Sequence, residues 1–218
     1  MIIIVRVQTK EGNGCVWDYV SNNLAELQEW LNGEARLICL SRRARHKDTS
    51  IFISVRNPDS NIISNFITNK IAAIDGVDGI WMLNLLNPTF FAIPAGTSKD
   101  LNRYTITVRC YPRHLPAIYK SIAESAPTPN CVVTYTAYTF HLFGDCLQCS
   151  VLADSEETAQ KFAQKIEMMP GVIRTTVCQI EKTQRLVSKE EWQAYQSNKL
   201  TASQTGNKEP QGQLAPSL

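Results

Sequence analysis

The densest charge in the chain is the run Arg42-Arg43-Ala44-Arg45-His46-Lys47. Arg42, Arg43, Arg45 and Lys47 could together hold a phosphate or an acidic partner. The competing reading is a solvated hairpin tip, and without interleaved aromatics the run is a poor nucleic-acid signature. Cys146-x-x-Cys149 has the spacing of a zinc or redox pair. On a strand, however, residues three apart point to opposite faces, and no second such pair completes a four-ligand site. Packing is therefore the expected role of these thiols. Asp145 could serve as an acid or base, but it is equally a turn former. Arg6 and Arg109 sit at the same place in two related strands. Either could anchor an anion between sheets, although solvent exposure is expected of both. No serine stands in a nucleophile-elbow setting, no element presents a carboxylate pair, and no glycine-rich loop has phosphate-binding spacing.

Composition narrows the class. The chain has 218 residues, 44% of them hydrophobic, and a net charge of +2. That length can bury one large core or two modest ones. The near-neutral balance gives no general pull toward nucleic acid or membrane. The opening MIIIVRVQTK is too short for a signal segment or a membrane span and reads as a strand. A cytoplasmic protein with no membrane association is expected. Seven cysteines are many for that compartment. Cys39, Cys110, Cys146, Cys149 and Cys178 all fall in apolar alternating runs, where a thiol acts as a small hydrophobe. No metal or cofactor is expected.

These residues must be positioned by a unit that occurs twice. At an offset of 95 residues, Asp154 falls on Asp59, Ser155 on Ser60, Lys165 on Lys70, Ile166 on Ile71, Gly171 on Gly76 and Val172 on Val77. Such self-similarity is the mark of an internal repeat. In the first copy, residues 2 to 8 alternate as a strand. Val16, Trp17, Val20, Leu24, Leu27, Trp30 and Leu31 form one helical stripe. Residues 35 to 41 and 50 to 56 are strands, and Asn57-Pro58-Asp59-Ser60 caps a helix buried through Ile63, Phe66, Ile67, Ile71 and Ile74. Residues 77 to 86 close the unit. The second copy repeats the order. Residues 103 to 110 are a strand, followed by a helix through Leu115, Ile118, Tyr119, Ile122 and Ala123. Strands follow at 131 to 140 and 146 to 152. A helix capped by Asp154 and Glu157 carries Ala159, Phe162, Ala163, Ile166 and Met169, and residues 172 to 180 form the last strand.

The expected fold is α+β, with tandem ferredoxin-like βαββαβ repeats arranged as a dimeric α/β barrel within one chain. Residues 1–90 are the first repeat, 91–102 a linker and 103–186 the second repeat. A short helix is predicted over 187–198, where Ser188 and Glu191 form a capping box and Trp192 and Tyr195 can dock. The polar tail 199–218 is predicted to be disordered. The strands look apolar on both sides, so the sheet faces left bare by helices should pack on each other. Trp17, Trp30 and Trp81 read as core or interface aromatics.

The second half resembles the effector-binding (RAM) domain of the Lrp/AsnC transcription regulators. The resemblance is carried by Phe143-Gly144-Asp145, by Ala153-Asp154-Ser155-Glu156-Glu157, and by the helix ending Met169-Pro170-Gly171-Val172-Ile173-Arg174-Thr175. It implies a small effector, such as an amino acid, bound near the Gly-Asp turn by Gly144 and Asp145, with Tyr135 and Thr136 on the preceding strand. The first half lacks that turn. The family's DNA-reading helix-turn-helix has no counterpart in the pattern. The resemblance therefore implies a non-enzymatic sensor that self-associates and acts through a protein partner, without direct nucleic-acid binding. The alternatives are an α/β-barrel enzyme with haem or a hydrophobic substrate inside, and an oligomerising scaffold without ligand. Haem could be ligated by a histidine. His46, His114 and His141 are available by type, and none lies in a sequence matching the haem-binding chlorite dismutase family, which shares this general architecture. Self-association is expected through exposed edge strands.

Overall fold

A computed structural model describes residues 1–10, 15–44, 48–57, 61–98, 100–140, 145–188 and 190–192. The cap Pro58-Asp59-Ser60, the tip Arg45-His46-Lys47, the turn His141 to Gly144 and the predicted helix end and tail at 193–218 lie outside them.

Among the described residues, eight strands form one closed antiparallel barrel. They are β1 (Ile2–Thr9), β2 (Ala35–Arg43), β3 (Thr49–Val55), β4 (Val77–Phe90), β5 (Asn102–Cys110), β6 (Cys131–Phe140), β7 (Asp145–Ala153) and β8 (Val172–Arg185). The order around the barrel is β1-β3-β2-β8-β5-β7-β6-β4. Each half contributes its four strands in the same order, β4-β1-β3-β2 and β8-β5-β7-β6 read from equivalent ends. Two seams join the halves. At one, β2 pairs β8, with Cys39 opposite Arg185. At the other, β4 pairs β6, with Phe90 opposite Tyr135. The bare faces thus meet inside a hydrogen-bonded ring, and no edge strand remains for the self-association expected above.

The period of two explains how each strand serves two layers. In β1, Ile3, Val5 and Val7 join the helix-side core of the first half. Ile2 and Ile4 point the other way, into a separate apolar cluster with Leu83, Leu85, Phe52 and Ala137. In β5 and β7, Tyr104, Ile106, Val108, Cys149 and Val151 face the second helix layer. The fourteen-residue β4 reaches Phe90 because its outer end pairs with β6 across the seam.

The helices are α1 (Cys15–Asn22), α2 (Leu24–Trp30), α3 (Ile62–Phe66), α4 (Leu115–Ala123) and α5 (Glu156–Glu167). The single stripe from Val16 to Leu31 is broken at Asn23, whose side-chain amide donates to the Tyr19 carbonyl. Such local bonding by Asn competes with the helix ladder. After α3, a π-helical turn at Ile67–Ile71 carries Ile71 into the core beside Ile63 and Phe66. The N-cap of α5 is Ser155 rather than Asp154, since the Thr158 amide donates to Ser155 Oγ at 3.1 Å. Tyr119 of α4 stacks on Tyr138 at 4.4 Å and bonds Thr89 at 2.6 Å, which fixes that helix to the seam.

The turns that precede β4 and β8 agree in backbone geometry. Gly76 and Gly171 both have φ +84°, a conformation that side chains other than glycine's rarely adopt. At Gly171 a Cβ would also collide with the His114 ring, whereas at Gly33, φ +71°, it would meet nothing. Gly171→Ala is expected to cost about 2 kcal/mol or more and Gly33→Ala about 1. Urea unfolding of both variants checks this, and equal losses would remove any role for the His114 contact.

Candidate functional site

The barrel interior holds a cavity of about 530 Å³. That lies within the ~300–1,000 Å³ typical of small-molecule sites. One wall is apolar and aromatic, with Ile2, Ile38, Phe52, Leu85 and Phe90. These come from strands of the first half. The opposite wall comes from β5 to β8 and is more polar, with Arg103, Thr105, Tyr135, Ser150 and Thr183. Exposed Arg185 and half-exposed Ile93 mark the solvent side.

That side is covered by the segment after β8. The Glu191 amide donates to Ser188 Oγ and the Ser188 amide to Glu191 Oε2, each at 3.1 Å. This capping box turns the chain so that Trp192 lies edge-on to Phe90 at 6.0 Å. The Arg185 guanidinium lies 5.7 Å from the Trp192 ring, and Arg36 pairs with Glu191 at 2.7 Å.

Deeper in the barrel, Tyr135 and Ser150 face each other across β6 and β7. Gln148 Nε2 donates to the Tyr135 hydroxyl. Thr134 Oγ1 is taken by the Ser150 carbonyl at 3.1 Å. Ser150 Oγ, Gln148 Oε1 and Arg6 Nε are buried with no hydrogen-bond partner among the described residues. Burial raises the Tyr135 phenol well above its ordinary value, although Gln148, Arg103 and Arg6 all pull it down. Burial also lowers the Arg6 guanidinium, and the like charge of Arg43 adds to this while Asp48 offsets part of it.

The structure sorts the candidate residues differently from the sequence. Arg6 points into the barrel rather than to solvent, because its strand neighbours Val5 and Val7 occupy the helix side. Arg109 is exposed. Arg43 is no free tip cation. It ends β2 and binds Asp48, itself 2% exposed, through both guanidinium Nε and a terminal nitrogen. Burial would lower the Arg43 pKa, but hydrogen bonding and attraction to Asp48 more than reverse that. Arg42 lies 3.7 Å from Glu181. Arg45, Lys47 and Gly144 fall outside the described residues, and Asp145 begins β7. Tyr135 lines the cavity, whereas Thr136 faces the helix side and is fully buried. The sequence reading missed Arg103, Ser150 and Arg185. The only signal for them was inward alternation within strands whose inner face had been read as uniformly apolar.

Haem would need an axial donor. Among the described residues, no histidine lines the cavity; His46 and His141 lie outside them. Burial pushes the Cys39 thiol up to about 11, despite nearby Arg103 and Arg185. The raised Tyr135 phenol likewise stays protonated. Among the described residues, no group of three metal-ligating side chains occurs either. This donor set does not fit an iron-ligated haem. It fits an apolar body with an acidic group directed to the arginines.

Two expectations follow from these burials. Unfolded thiols ionise from about pH 9, while Cys39 holds its proton to about 11 and Cys149 to about 12. The folded state then binds more protons than the unfolded one. Stability present below pH 9 should fall as pH rises, by up to about 1.4 kcal/mol per pH unit and thiol. Denaturant midpoints from pH 8 to 11 should drop less steeply in a Cys39→Ala, Cys149→Ala variant, and parallel slopes would refute the assignment. Separately, Asp48→Ala should destabilise the fold by about 3–5 kcal/mol, because it leaves Arg43 and Arg6 as uncompensated neighbours. A loss below 1 kcal/mol in urea melts would contradict this.

No family model matches the chain, and no curated protein matches it. Solved structures do. The siroheme decarboxylase NirDL is 8% identical over 94% of this chain and 80% of that one, with a TM-score of 0.52. A variant of chlorite dismutase from Candidatus Nitrospira defluvii is 10% identical over 83% and 91%, with a TM-score of 0.48. An anthrone oxidase-like protein is 9% identical over 86% and 94%, with a TM-score of 0.46. At these identities the likeness is one of fold. It nevertheless overturns the reading as a non-enzymatic effector sensor. The architecture shared across 94% of the chain is that of a protein named as a decarboxylase rather than as a regulator.

Proposed function

We propose that this protein is an α/β-barrel enzyme that encloses a hydrophobic, acid-bearing substrate inside its barrel. The observation that carries the proposal is the cavity of about 530 Å³, with an aromatic and aliphatic wall facing Arg103 and Arg185. An apolar body gains from leaving water on that wall, and a carboxylate gains charge-assisted hydrogen bonds from the arginines. Enclosure beneath Trp192 excludes water and strengthens those bonds. Tyr135, held as a neutral phenol, supplies a proton-bearing group at the inner end. A flat tetrapyrrole acid of the kind named for the siroheme decarboxylase has this chemistry, and here it would be substrate rather than an iron-ligated cofactor.

Two statements about descent belong to the same proposal. The chain is read as a tandem duplication of a ferredoxin-like unit, supported by the repeated strand order and by the matching φ of Gly76 and Gly171. The second half is read as kin to Lrp/AsnC effector domains in architecture alone, supported by the Asp154-Ser155 cap, α5 and the Gly171 break.

The test is incubation with carboxylated tetrapyrroles, siroheme and metal-free protoporphyrin among them, with products followed by mass spectrometry and binding by tryptophan quenching. Binding and turnover should both be lost in Ile38→Trp, which fills the cavity. Arg103→Ala with Arg185→Ala should weaken binding by about tenfold or more. Unchanged binding in Ile38→Trp, or no ligand among tetrapyrroles and aromatic acids, would sink the proposal.

A further inference from the structure

Resting on that reading, we infer that the cavity is two-ended, with Tyr135 and Ser150 forming an inner subsite for an uncharged oxygen function at the far end of the substrate. The substrate class is thereby narrowed to apolar acids bearing a hydroxyl or carbonyl group opposite the acid.

Ser150 is the leading observation. It is 1% exposed and lines the cavity, yet its hydroxyl has no partner among the described residues. A buried hydroxyl left without a partner is costly and rare in native proteins. Its neighbours Cys149 and Val151 face the helix layer, so alternation turns Ser150 inward. Directly across the strand pair stands Tyr135. The Tyr135 oxygen accepts from Gln148, leaving its own proton for the cavity. A ligand oxygen between these two side chains would accept from the phenol and exchange a hydrogen bond with the serine.

The surroundings favour an uncharged group there. Gln148 Oε1 is also buried without a partner, and an acceptor beside a bound carboxylate would be repulsive. Of the two cations that act on Tyr135, Arg103 lines the cavity, whereas Arg6 stands next to the neutralised Arg43–Asp48 pair. Arg6 lies off the lining. The acid belongs at the solvent side, with the exposed Arg185 beside Trp192. A site built to hydrogen-bond an oxygen discriminates strongly against analogues lacking it, since its own groups are then left unpaired.

Three rigid probes test this by calorimetry on the full chain: a biphenyl carboxylic acid with a hydroxyl on the distal ring, the same acid without the hydroxyl, and the hydroxylated methyl ester. The hydroxy acid should bind most tightly, with about tenfold loss on removing either end. Ser150→Ala and Tyr135→Phe should abolish the preference for the hydroxyl and keep that for the acid. Arg185→Gln should do the reverse. If the acid binds in the wild type with no hydroxyl preference, or if Ser150→Ala retains that preference, the inner subsite is refuted while the enclosed-acid reading stands. If no probe binds while a carboxylated tetrapyrrole does, the inner subsite is refuted and the enclosed-acid reading stands; if neither binds, both fall.

Discussion

Ring closure is the constraint on which everything else depends. The β2–β8 and β4–β6 seams pair every strand on both sides. Backbone polar groups are satisfied by this ladder, so the demands on the interior come from side chains alone. Apolar residues meet those demands by contact. Polar ones must find partners within the ring, because bulk water is excluded. The Arg43–Asp48 fork is one internal solution, and the Gln148–Tyr135 bond is another. Among the described residues Ser150 lacks one, so closure turns an ordinary serine into an informative residue.

How much of this was legible in sequence depended on range. Period-two alternation in Ile2–Thr9 and the helical stripes through Val16, Leu27, Ile63 and Ile166 identify elements and their buried faces. Turn chemistry at Ser155, Gly171 and Ser188 marks element ends, with an error of one residue at the Asp154 cap. Arg6 shows where local pattern stops. Alternation places it on the face opposite Val5 and Val7, but whether that face meets water or a barrel interior is decided by pairing between β2 and β8, far away in sequence. Arg43 is similar. A run of basic residues reads as a tip until the strand extends and Asp48 closes against it. The cavity draws on Phe52, Phe90, Arg103, Ser150, Arg185 and Trp192, and no spacing rule links them.

The same distinction explains why a family resemblance gave the wrong activity. Apart from the Phe143-Gly144-Asp145 turn, the residues that carry it, from Ala153 to Glu157 and from Met169 to Thr175, start and stop α5. They lie at the helix layer, on the far side of the sheet from the cavity. Such residues report how a chain turns and leave open what it binds. Of the cavity-lining groups, the resemblance named Tyr135 alone.

That one polypeptide supplies both halves of the ring also has a chemical consequence. In a symmetric pair of identical units, every side chain inside the shared barrel would confront its own copy across a two-fold axis. An arginine on one wall would require an arginine on the other, and the interior would have no front or back. Here one half supplies Ile38, Phe52 and Phe90 while the other supplies Arg103, Tyr135 and Ser150. Because the two halves differ in sequence, neither wall need mirror the other. The result is a chamber with a direction, able to distinguish the head of a guest from its tail.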